Sequence, residues 1–128
     1  MGLEPTNSAN PLLDHNQLET FIMLGYDDYA DLLNDVRREV PGYFTTIRSA
    51  IASGDSKSCS AASHSCRGML SYFGCIALNN LLSVLENGPL PDASSAESVH
   101  DQLLTVWDDT LFAIQEWAES VPDFIPPA

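Results

Sequence analysis

Apolar residues in this chain return at intervals of three and four in several separate segments, and nowhere do they alternate with polar ones. That period belongs to a helix with one buried face, not to a half-buried strand. The longest stripe is Tyr29, Leu32, Leu33, Val36, Val40, Phe44, Ile47 and Ile51, which predicts a helix over residues 27–52. Pro41 falls inside it; a proline there removes one helical hydrogen bond and is expected to kink or split the element. Ser53-Gly54-Asp55 supplies the following turn. A helix over residues 56–73 carries Cys59, Ala62, Cys66, Met69, Leu70 and Phe73 on one side, and Gly74 marks its break. The next, over 76–86, turns Leu78, Leu81, Leu82 and Leu85 inward and stops at Asn87-Gly88-Pro89. Ser94 and Glu97 have capping-box spacing ahead of a last helix reaching residue 120. Its seam is Val99, Leu103, Val106, Thr110, Ile114 and Trp117. A short first helix begins near Asp14, with Gln17 at the capping-box position. It faces Leu18, Phe21 and Ile22 inward and ends at Gly25.

Short connections between such helices make neighbours antiparallel. The expected fold is all-α: an antiparallel up-down four-helix bundle with a short additional N-terminal helix, in one domain over residues 12–121. Residues 1–11 are polar with two prolines and read as a flexible lead-in; residues 122–128 hold three prolines and read as a Pro-rich tail.

Charge excludes several functions. The net charge is −13, and the five basic residues are Arg37, Arg38, Arg48, Lys57 and Arg67. Such a surface is repelled by phosphate backbones and by anionic lipid, so neither nucleic-acid binding nor membrane insertion is expected. Three cysteines, Cys59, Cys66 and Cys75, form no CxxC pair, which fits a reducing, cytoplasmic setting. The N-terminus has no basic region followed by an apolar run, so no signal peptide is expected.

The helix over 56–73 carries the chemistry. On a wheel of about 100° per residue, the centre of its apolar stripe lies roughly 180° from His64, which therefore points to solvent. Ser60, Ala61, Gly68 and Ser71 share the His64 face, and all are small. A glycine inside a helix costs about 1 kcal/mol relative to alanine. Gly68 thus keeps space open beside the imidazole at a cost in stability, as close approach of a partner or phosphate would need. Lys57 and Arg67 lie on or beside this face, a local positive spot in an acidic chain. An imidazole is a usable nucleophile near pH 7, and a nearby cation would offset the charge of phosphohistidine.

The segment Ser63-His64-Ser65-Cys66-Arg67-Gly68-Met69-Leu70-Ser71-Tyr72-Phe73-Gly74-Cys75 resembles the signature of histidine-containing phosphotransfer (HPt) domains, roughly A-H-x-L-K-G-[SA]-[SA]-x-x-[FILV]-G-[AL]. The family's phosphorylated histidine falls on His64, its lysine on Arg67 and its glycines on Gly68 and Gly74. Asp55 resembles the aspartate before the family's central helix, and Leu78, Leu82 and Leu85-Glu86 resemble its L-x(n)-LE pattern. Leu13-Asp14, Leu18 and Leu24-Gly25 resemble its first helix, so the likeness spans about residues 12–120, with 63–75 as the specific part. Cys66 stands where leucine is usual and Met69 where a small residue is usual. Met69 is expected inward or at the boundary, with a packing adjustment, and Arg67 differs from lysine in hydration and donor geometry. These departures bear on partner choice.

The resemblance implies a carrier that takes a phosphoryl group from a receiver-domain aspartate onto His64 and passes it to another receiver. Its partners would be response-regulator receiver domains or a hybrid sensor kinase. It would bind no cofactor and no nucleotide, the Mg²⁺ belonging to the receiver, and an exposed reactive face suits a monomer. Nε2 of His64 would attack in line, with Arg67 and Lys57 offsetting charge. Gly68 and Ser71 would give phosphate and partner access, and Leu70 and Tyr72 would dock a receiver helix. Three other readings compete. A degenerate, non-catalytic adaptor would share the face. A metal-binding bundle has His15, His64, His100 and the cysteines as candidate ligands, but no two histidines share i, i+3 or i+4 spacing, and Cys59 and Cys66 fall on the apolar stripe. A hydrolase would need an acidic residue to orient His64, and none is evident near it in sequence. Trp107 and Trp117 read as core, and Asp27-Asp28 and Asp108-Asp109 as solvated helix faces.

Overall fold

A computed structural model describes residues 12–23 and 26–120. Among the described residues five α-helices follow one another: α1 (His15–Ile22), α2 (Tyr26–Ser53), α3 (Ser56–Leu70), α4 (Ile76–Asn87) and α5 (Ala96–Ser120), with a 3₁₀ turn at Ala93–Ser95 before the last. The four long helices pack in a ring: α2 on α3, α3 on α4, α4 on α5 and α5 on α2. Cross-helix contacts give their directions. Arg48 meets Glu97 at 3.7 Å while Tyr29 meets Trp117 ring to ring, so α2 and α5 run antiparallel. Cys59 and Ser60 meet Leu85 and Glu86, so α3 and α4 do too. Among the described residues there is no strand, only an isolated bridge between Leu13 and Cys75, and no helix is long and apolar enough to cross a membrane.

The stripes read from sequence form one core. Val36, Val40, Phe44, Ile47 and Ile51 of α2 meet Cys59, Cys66 and Leu70 of α3, Leu78 and Leu82 of α4, and Leu103, Trp107, Ile114 and Trp117 of α5. Leu81, Val99 and Val106 are only partly buried at its edge, as is Met69, which packs against it. Burial pushes the thiols of Cys66 and Cys75 up to about 12 and that of Cys59 upward, so all three are protonated core fillers.

Of the two outcomes expected of Pro41, splitting does not occur: α2 runs unbroken from Tyr26 to Ser53. Phe44, Ile47 and Ile51 beyond it continue the face begun by Val36 and Val40, and all are buried. Each such side chain contributes about 1.5–3 kcal/mol on burial, and together they outweigh the proline's cost of about 3 kcal/mol. The carbonyl that loses its helical partner belongs to Arg37, an exposed residue where water is at hand.

Three helix ends also differ from the sequence reading. Helix α3 stops at Leu70 rather than 73, because Gly74 adopts φ +61° and turns the chain. Gly74 also accepts, through its carbonyl, the N–H of Asp14 at 2.7 Å, while Ile76 N–H donates to the Leu12 carbonyl at 3.0 Å. This clasp leaves no room for a Cβ at residue 74, which would fall 2.7 Å from the Asp14 carbonyl oxygen. Helix α5 starts at Ala96; its entry is shaped by the Asp92 carbonyl, which accepts both the N–H and the hydroxyl of Ser95, rather than by a Ser94–Glu97 box. At α1, Asp14 Oδ1 caps the N–H groups of Asn16 and Gln17, but the Asp14 N–H that a capping box would give to Gln17 donates to the Gly74 carbonyl, and the Gln17 amide N–H donates to the Ser71 carbonyl. The expected end of α1 at Gly25 lies outside the described residues, as do the lead-in and the tail. Asp55 caps α3: its carboxylate accepts the hydroxyl and the N–H of Ser58, which hold it below the usual carboxylate range.

Gly74→Ala combines a left-handed backbone with a steric clash. It is expected to destabilise the bundle by roughly 1–3 kcal/mol in urea unfolding, with a matched Gly68→Ala control no less stable than the parent.

Candidate functional site

His64 sits in the middle of α3, and its side chain is 76 % exposed. The core stripe of Cys59, Ala62, Cys66 and Leu70 lies on the other side of the helix, as the wheel requires. Gly68 is exposed, and among the described residues nothing lies within 4 Å of a Cβ built on it. No packing among the described residues demands a glycine there, so the open space beside His64 faces outward.

The main addition to the sequence reading is Glu86. Its Oε2 lies 2.8 Å from His64 Nδ1, and its Oε1 lies 2.5 Å from Arg67 Nη1. An acidic residue therefore does orient His64, contrary to the expectation that none is near. It comes from the last turn of α4, 22 residues on in sequence. Small residues on α3 let that turn approach. Ser60 Oγ donates to the Glu86 carbonyl at 2.9 Å, the Cys59 thiol faces the Leu85 carbonyl at 3.9 Å, and the buried Ser63 hydroxyl folds back onto the Cys59 carbonyl at 2.8 Å. The first two contacts satisfy carbonyls that the end of α4 leaves without helical partners. One signal for Glu86 was present in the sequence: it is the only carboxylate between residues 56 and 91.

The geometry fixes the chemistry of the ring. A carboxylate only accepts, so Nδ1–H donates to Glu86. A neutral ring then carries its lone pair on Nε2, which has no hydrogen-bond partner among the described residues. Nδ1 is held and oriented, and Nε2 is presented to solvent as a nucleophile. Any positive charge that develops on the ring during attack falls beside an anchored carboxylate. Glu86 is held below the usual carboxylate value of 4.5, first by the hydrogen bond from Arg67 and then by that from His64.

The two cations grouped by sequence occupy different places. Arg67, with a side chain 37 % exposed, is engaged with Glu86. Lys57 is exposed and lines an open cleft of about 610 Å³ together with Ser56, Ala61, His64, Ser65 and Glu86. Two docking expectations separate as well. Tyr72 is exposed, but Leu70 is fully buried in the core and offers no surface to a partner. It belongs to the i+3/i+4 stripe of α3, which outweighs its nearness to His64 in the motif. Ser71 is exposed, and its carbonyl is taken by Gln17. His15 and His100 lie on α1 and α5, and no group of three metal-ligating side chains gathers among the described residues. Trp107 and Trp117 are core residues, and Asp28, Asp108 and Asp109 are exposed.

A family model, the Hpt domain, matches residues 31–117, about two thirds of the chain, and takes in α3 whole with His64 at its centre. The chain belongs to the Hpt domain family. Hpt domains act in phosphotransfer within two-component phosphorelays, where they interact with receiver domains and kinases. Comparison with curated proteins and with solved structures gave no match. In this Hpt domain the exposed imidazole, Arg67, Glu86 and the small-residue face all fall within the matched span.

The Glu86 carboxyl has a lowered value in the folded state, so its contribution to stability is complete above the ordinary unfolded value and is lost as pH falls through the lower, folded one. Carboxyl NMR titration is expected to show a Glu86 midpoint below 4.5. Arg67→Ala raises that midpoint more than His64→Ala does, and Glu86→Gln removes the corresponding part of the acid limb of the stability profile.

Proposed function

We propose that this Hpt domain carries phosphoryl groups on His64, accepting them from the aspartyl phosphate of one receiver domain and passing them to the aspartate of another. The observation that supports the reading best is the pairing of an exposed Nε2 with an Nδ1 held at 2.8 Å by Glu86. In the forward step the Nε2 lone pair forms the N–P bond as the acyl-phosphate P–O bond breaks, and the electron pair leaves with the aspartate carboxylate. The ring becomes a phosphoimidazolium whose Nδ1–H stays on Glu86. In the return step the same cationic ring is a good leaving group. Mg²⁺ is the receiver's in this reading, and no nucleotide is needed.

Gly68 and Ser71 give the receiver's loops access to His64, and exposed Tyr72 contributes apolar contact. The setting is cytoplasmic, where receivers and kinase domains reside, and the domain acts as a monomer.

Incubation with a phosphorylated receiver is expected to give an acid-labile, base-stable phosphoprotein, and His64→Gln abolishes it. Labelling that persists in this variant overturns the assignment; receiver binding without any labelling of the parent would instead identify a non-catalytic adaptor. Gly68→Leu fills space that this chain leaves open. It is expected to keep or raise thermal stability, since glycine is the poorer helix former, while slowing receiver-mediated transfer at least tenfold in a time course of labelling.

A further inference from the structure

The α3–α4 hairpin is electrically unlike the rest of the chain. Of 18 acidic residues, only Glu86 falls between residues 56 and 91, and the bases there are Lys57 and Arg67. Glu86 and Arg67 neutralise each other at 2.5 Å. Lys57 is then the remaining charge of the hairpin. It enters no ion pair among the described residues. Asp55, two residues away, has both carboxylate oxygens engaged by Ser58. Lys57 and His64 line one cleft, whose walls include Ser56, Ala61, Ser65 and the Glu86 already neutralised by Arg67, whereas Arg67 itself does not line it.

We propose that the phosphoryl group of His64 lies over this cleft and is met there by the Lys57 ammonium, while Arg67, the cation of the family motif, acts only through Glu86. The inference rests on the phosphocarrier reading and adds to it which cation touches the transferring group. Three features support the division. The Arg67 guanidinium is already spent on a carboxylate, and moving it to phosphate would leave Glu86 without its strongest partner. The Lys57 side chain is long, exposed and uncommitted, so it follows a group that moves from aspartate to histidine. The residues between Lys57 and His64 along the cleft wall are small, so the path between ammonium and imidazole is open. A charge-assisted hydrogen bond to phosphate is the interaction expected there.

The test uses the whole chain and two phosphodonors: a phosphorylated receiver, and phosphoramidate, which needs no docked protein. With phosphoramidate the Nε2–P bond forms as the donor's N–P bond breaks and ammonia leaves. Lys57→Ala is expected to slow labelling of His64 about tenfold with both donors, which corresponds to about 1.4 kcal/mol, with circular dichroism and melting unchanged. Lys57→Arg restores most of the rate. Arg67→Ala is expected to act differently: it shifts the pH dependence of labelling through Glu86, and Glu86→Gln removes that shift. Slowing by Lys57→Ala with the receiver alone would place Lys57 in docking and overturn the proposal, as would a rate within twofold of the parent with phosphoramidate. Failure of the parent to label at His64 with either donor would overturn the phosphocarrier reading itself.

Discussion

The hydroxyl of Ser60 on the Glu86 carbonyl, with the Cys59 thiol beside the Leu85 carbonyl, draws the last turn of α4 against the middle of α3. The reactive face depends on that approach. A bulky side chain at residue 59 or 60 would hold the two helices apart, and the Glu86 carboxylate would then fall short of both His64 and Arg67. The contact sits over a continuous apolar core, so its position is set by the packing of Cys66, Leu78, Leu82 and Leu85 as much as by the hydrogen bonds. Neutral hydrogen bonds of this kind each contribute about 1 kcal/mol net. Their value here is geometric: they hold a carboxylate where an imidazole can use it.

Once Glu86 is in place, the division of roles follows from charge. A carboxylate that joins a guanidinium and an imidazole stays ionised into acid, keeps the proton on Nδ1 and leaves Nε2 outward. The same bond removes Arg67 from the set of cations available to an incoming phosphate. A motif shows that a cation lies three residues after the histidine, but not what that cation is bonded to. Here the partner comes from another helix.

The bundle's end opposite the α2–α3 turn is organised by a different constraint. Gly74, in the left-handed region, lets residues 12–14 lie against 74–76 and tie the start of α1 to the α3–α4 turn. Gln17 adds a bond to Ser71, in the turn that presents Tyr72. The N-terminal segment thereby braces one rim of the His64 face, although it contributes nothing to the chemistry of the ring.

Much of this was legible in the residues alone. The 3.6-residue period gave the helices and the inward residues of each, because burial of one face is decided locally by spacing. The same period put His64 opposite the stripe and made Gly68 stand out as a cost without a packing reason. Pro41 does not split α2 because its penalty is local while the burial that offsets it is distributed along the helix. Leu70 is apolar and close to His64 in sequence, which suggests docking, but it lies on the apolar stripe of α3 and is buried in the core. Glu86 was visible as a motif residue, yet its role was not, since two groups 22 residues apart become neighbours only when α3 and α4 pack. Spacing along the chain settles where the helices lie, which face of each turns inward and that His64 points outward, because a helix face is a local property. Which carboxylate orients that histidine and which cation stays outside an ion pair beside it are set by packing, because those pairings form between helices and depend on how closely the helices approach.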